Sequence, residues 1–113
     1  MAFTSLTMQN NKYPVVTLCG STRFKQEFEF VQKQLTLDGC IVLSVGLFGH
    51  SGDAEVLREG IKEMLDDMHK RKIDMADAIY VIDAGGYIGS STASEIAYAK
   101  AKGKQIFYWS EQE

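Results

Sequence analysis

Four short segments of the chain are apolar without strict polar alternation: residues 15–19 (VVTLC), 41–45 (IVLSV), 78–83 (AIYVID) and 105–109 (QIFYW). β-Branched and aromatic residues dominate them. That is the pattern of strands buried on both faces, as in a parallel sheet. Between them the apolar positions take up a helical period. Phe24, Phe28, Val31 and Leu35 form one stripe, and Gly39 follows where a helix end favours positive φ. A second helix is expected from about Asp53, with Leu57, Ile61, Met64, Leu65 and Met68 on its buried face. A third is expected from about Thr92 to Gly103, with Lys100 and Lys102 in its last turns, where cations suit the helix dipole.

The order β-α-β-α-β-α-β predicts a three-layer α/β domain of flavodoxin-like or Rossmann-like type, with a four-stranded parallel sheet and helices on both faces. The domain is expected over residues 13–113, and residues 1–12 are expected to form a flexible tail without signal-peptide character. Ligands in such folds bind outside the carboxyl ends of the strands. The loops to inspect are therefore residues 20–23, 46–53 and 84–92, which is where several glycines fall.

Composition narrows the function. A chain of 113 residues, 45% hydrophobic, suffices for one domain with a core. A net charge of −3 argues against a nucleic-acid polymer as the main partner but leaves room for a small anion. There is no long apolar run, so no membrane span is expected. Cys19 and Cys40 form no CxxC pair, and they fall at opposite ends of neighbouring strands, so no disulfide is expected and a reducing cytoplasm fits. His50 and His69 lack a metal-ligand spacing; no metal and no cofactor is expected.

Three stretches carry candidate chemistry. In CGSTRF, Gly20, Ser21, Thr22 and Arg23 join the first strand to the first helix. Free N–H groups, two hydroxyls and a guanidinium suit a phosphate there. The simpler reading is that Ser21 or Thr22 caps the helix and Arg23 is solvated. In LDDMHKRKID, Asp66 with Lys70 and Asp67 with Arg71 have the spacing of solvated ion pairs, whereas His69 falls beside the apolar stripe. In the third stretch, Thr92-Ala93-Ser94-Glu95 has the form of a capping box. The loop before it, with Gly89 and Ser91, is richer in glycine and serine than a cap requires.

Taken together and in this order, these stretches resemble the nucleoside 2-deoxyribosyltransferase-like superfamily, and within it the small deoxynucleoside 5'-monophosphate N-glycosidases. CGSTRF looks like that family's first-strand phosphate and sugar loop, IDMADAIYVID like its passage into the third strand, and GSSTASEIAYAKAKGK like its GTxxEIGYAxxxGK signature. The resemblance implies cleavage or transfer of the N-glycosidic bond of a nucleoside or nucleoside 5'-monophosphate. Glu95 would attack the anomeric carbon, and its place in the first helical turn would keep it ionised. Gly20, Ser21, Thr22, Arg23, Gly89, Ser91 and Thr92 would bind substrate. The family's aspartate eight residues before the "AD" aspartate falls on His69, so His69, or the nearby Asp66 or Asp67, would protonate the leaving base. Ala97 stands where the signature has glycine. Relatives imply a homodimer or larger assembly. Two other readings stay open: a phosphoribohydrolase of the lysine-decarboxylase-like type, although AGGYIGSST lacks its proline, and a non-catalytic nucleotide sensor using the same pocket.

Overall fold

A computed structural model of the protein describes residues 13–112, so the tail expected over 1–12 lies outside the described residues. The four apolar runs form β1 (Val15–Gly20), β2 (Ile41–Leu43), β3 (Ala78–Ile82) and β4 (Gln105–Tyr108). All pairings are parallel, in the order β2-β1-β3-β4. The helices are α1 (Lys25–Leu37), α2 (Ile61–Asp74) and α3 (Ser90–Ala101). This is the expected flavodoxin- or Rossmann-like α/β architecture.

Alternate residues of the central strands serve the two faces. Val16 and Leu18 of β1, with Ala78, Tyr80 and Ile82 of β3, pack against Phe28, Val31 and Leu35 of α1. Ile79 and Val81 of β3, with Cys19 of β1, pack on the other side against Ile73 of α2 and Ile96 and Ala99 of α3. Cys40 belongs to the first cluster and Cys19 to the second, and both thiols are free. Asp77 fixes where the inner strands begin: its carboxylate accepts the Val15 N–H at 2.8 Å, and its own N–H donates to the Val15 carbonyl at 2.8 Å. Among the described residues no helix is long and apolar enough to cross a membrane.

Two helix starts differ from expectation. Residues 54–57 form a separate 3-10 turn, and α2 begins only after Gly60, which has φ 80°. Leu57 is therefore not on a buried helical face but is 84% exposed, and Met64 and Met68 are also exposed. α3 begins at Ser90 with Gly89 as its N-cap and no side-chain cap. Thr92 thus lies inside the helix and the Thr92–Glu95 capping box does not form. Glu95 is a turn further in than a capping residue, beyond the first-turn position in which the dipole acts most strongly.

The connection from β1 leads to β2 at one edge, while that from β3 leads to β4 at the other. The carboxyl ends of β1 and β3 therefore diverge, which opens a crevice at the point where the strand order reverses.

Candidate active site

The crevice is a cleft of about 590 Å³. One wall is the turn after β1. Gly20 is required there: its φ is +155°, and a Cβ at that position would lie 2.8 Å from the Ile82 carbonyl oxygen. The Ser21 Oγ accepts from the Arg23 backbone N–H at 3.3 Å and from Arg23 Nε at 3.1 Å. Ser21 thus does cap the turn, and it also holds the guanidinium in place. Arg23 is not simply solvated; it stacks 4.3 Å from the centre of the Tyr87 ring.

The opposite wall is the start of α3, with Gly89, Ser90, Ser91 and Thr92 lining the cleft. Because α3 has no side-chain cap, its side chains leave the first-turn N–H groups to other acceptors. An anion suits that position through both hydrogen bonding and the dipole. Lys62 of α2 adds a cation, 2.9 Å from the Asp66 carboxylate and 3.5 Å from the Ser91 hydroxyl. The third side is the segment between β2 and α2, from which Leu47, His50, Val56 and Leu57 reach the cleft.

The floor is formed by regular elements. Glu95 of α3 presents a side chain that is only 13% exposed, and His69 of α2 one that is 7% exposed. His69 Nε2 lies 4.0 Å from the Glu95 carboxylate and 3.5 Å from Cys19 Sγ at the end of β1. Burial pushes Glu95 up to about 7, and the Asp66 charge adds to the effect; a hydrogen bond from Cys19 and the charges of Lys70 and Lys62 work the other way. The expectation that the dipole keeps Glu95 fully ionised is thus overturned by desolvation. Burial likewise pulls His69 down to about 4, helped by Lys72 and opposed by a hydrogen bond to the Leu18 backbone and by Asp66. At neutral pH the imidazole is uncharged, so its contact with Glu95 is not an ion pair and it holds no imidazolium proton to donate. Burial also pushes the Cys19 thiol well up, and the neighbouring Glu95 carboxylate reinforces this.

Of the residues expected from the sequence, Gly20, Ser21, Thr22, Arg23, His69, Gly89, Ser91, Thr92 and Glu95 all line this one cleft. Asp67 is the exception among them. It is a surface residue, 3.9 Å from Arg71, whereas its neighbour Asp66 turns into the cleft. The expected Asp66–Lys70 pair is replaced by Lys62–Asp66 at 2.9 Å. Ala97 is exposed, so the missing glycine relieves no close contact. The sequence reading missed Tyr87, Lys62 and the role of His50, whose Nδ1 lies 2.6 Å from the Thr22 hydroxyl. It also gave Cys19 no part in the site, reading it only as a thiol without a disulfide partner. Only the Lys62–Asp66 pair has a local i,i+4 spacing; Tyr87, His50 and Cys19 meet partners that come from other connections.

The chain matches no model of a known protein family, and no curated protein matches it.

Proposed function

We propose that this protein cleaves the N-glycosidic bond of a nucleoside 5'-monophosphate, with Glu95 as the nucleophile. The observation that carries the reading is the placement of a nearly buried carboxylate on the floor of a cleft whose two walls, the turn after β1 and the uncapped start of α3, both suit an anion. Breaking the bond between sugar and base builds positive charge on the anomeric carbon. A carboxylate beneath the ring stabilises that charge and captures it as a glycosyl-enzyme, which water or a second base then resolves. Arg23 and the Ser21 turn, or the start of α3 with Lys62, would hold the phosphate. Asp66, at the cleft and on the same helix as His69, is the better placed acid for the departing base; neutral His69 supports Glu95 from behind.

The test is release of free base from a panel of nucleosides and 5'-monophosphates, measured in chelator. Glu95→Gln should abolish release while monophosphate binding persists; release near the wild-type rate would end the assignment. Arg23→Ala should weaken monophosphate binding far more than nucleoside binding, since only the former offers a dianion to the guanidinium. Equal losses would remove Arg23 from phosphate recognition. A nucleotide sensor is the second reading, favoured by the absence of a charged imidazole beside Glu95, and binding without base release from any of the panel would establish it. The resemblance also proposes a homodimer or larger assembly, for which exposed Leu57, and Met64 and Met68 on α2, offer apolar surface.

A further inference from the structure

Cys19, His69 and Glu95 come from β1, α2 and α3 and meet at the bottom of the cleft, which His69 and Glu95 line and behind which Cys19 is fully buried. They offer a sulfur, an imidazole nitrogen and a carboxylate oxygen, and these ligand atoms all lie within 4.8 Å of one another. Among the described residues, no lysine or arginine lies within ion-pair distance of Glu95. Three Lewis bases of different classes thus face one point with no side-chain cation between them.

We propose that Cys19, His69 and Glu95 form a binding site for one zinc ion, with the fourth coordination position open to the cleft. Mixed sulfur, nitrogen and oxygen ligands select zinc over magnesium or calcium, which prefer oxygen alone. Zinc bonds of about 2.0–2.3 Å to such ligands place the ligand atoms roughly 3.3–3.6 Å apart in a tetrahedron. The Cys19–His69 separation of 3.5 Å already matches, and the His69–Glu95 separation of 4.0 Å closes with a small carboxylate rotation. The hydrogen bond of His69 to the Leu18 backbone is the kind of anchor that orients a ligating imidazole. On binding, the Cys19 thiol proton leaves to buffer and the sulfur takes the metal in its place, with no change of oxidation state.

Zinc held there engages the same carboxylate that attacks the sugar. The loaded protein is therefore inhibited, and removing the metal restores activity. This consequence rests on the proposed glycosidase reading; the metal site itself does not.

The experiment uses the full chain stripped with chelator and titrated with Co²⁺ as a spectroscopic stand-in for zinc. One equivalent should produce a thiolate-to-cobalt charge-transfer band and the visible bands of a tetrahedral site, and Zn²⁺ should displace them. Cys40→Ser should leave the spectrum unchanged. Cys19→Ser should remove the charge-transfer band, and Glu95→Gln should weaken binding by roughly tenfold or more, since even an outer-shell partner is worth that much. Absence of the band in the wild-type protein overturns the site, whatever the variants do, as does a band that survives in Cys19→Ser. If the site is right but no nucleotide releases base in chelator, the cobalt spectrum stands and the glycosidase reading falls. If base is released but Zn²⁺ leaves the rate unchanged while the band forms, inhibition is overturned and the site is kept.

Discussion

Glu95 and His69 share one small volume yet are driven in opposite directions, because burial disfavours the charge of each and the two charges have opposite sign. A folded-state shift is a statement about stability. Glu95 binds its proton more tightly folded than unfolded, so its contribution is present below the ordinary carboxylate range and is lost as pH rises through about 7. His69 does the reverse: its contribution is present above the ordinary imidazole range and is lost as pH falls through about 4. Each shift amounts to about 3 kcal/mol. Between the ordinary carboxylate and imidazole values the two slopes oppose, so these residues leave the metal-free protein nearly level there. Urea midpoints measured in chelator should then rise with pH across that window in Glu95→Gln, where only His69 titrates. In His69→Asn they should fall instead. Parallel slopes in the two variants would show that the shifts are not as described. Activity has its own sign. The proposed attack needs the carboxylate, so kcat/KM in chelator should rise with pH through about 7, a value that burial and the Asp66 charge hold up against the pull of Cys19, Lys70 and Lys62. A rate that is flat from pH 5 to 8 would separate Glu95 from the attack.

At the scale of elements, the strands and the first helix were legible because their patterns belong to packing. Phe28, Val31 and Leu35 recur at helical spacing and are buried, and Gly39 takes the positive φ of a helix end at 90°. The starts of α2 and α3 were not legible. Leu57 fits the apolar stripe of α2 by count, but Gly60 turns the chain between them, so the periodicity runs on through a break in the backbone. Thr92 and Glu95 have the letters of a capping box, but Gly89 adopts the N-cap conformation first and moves the helix start upstream. The cleft residues within single motifs were found, whereas Tyr87, Lys62 and Cys19 were not, since their roles exist only once separate connections meet. The turn after β1 shows what a single glycine does at this scale. Gly20→Ala would press a methyl against the Ile82 carbonyl, already 2.8 Å from the Cβ position, in a backbone conformation that side chains avoid. A loss of about 3 kcal/mol in urea unfolding is expected. Leu57→Ser, at a side chain that is 84% exposed, should stay within about 0.5 kcal/mol.

For the whole molecule, the strand order β2-β1-β3-β4 does most to place chemistry, because it sends the connections from β1 and β3 apart and leaves a crevice between them. Leu57 at the crevice and Met64 and Met68 along α2 are exposed apolar side chains. If a second copy covers them, Leu57→Asp combined with Met64→Glu should shift the protein to monomer in sedimentation without loss of helical signal. An unchanged sedimentation coefficient would remove that surface from any assembly. The crevice itself is divided in its construction. His69 and Glu95, its floor, with Cys19 buried behind them, stand on α2, α3 and β1, while Leu47, His50, Val56 and Leu57 belong to the irregular segment between β2 and α2. The buried groups at the bottom of the cleft and its irregular wall are therefore encoded by separate stretches of chain. A gene library confined to residues 47–57 would vary one wall of the cleft while the Glu95 carboxylate keeps its surroundings on regular elements.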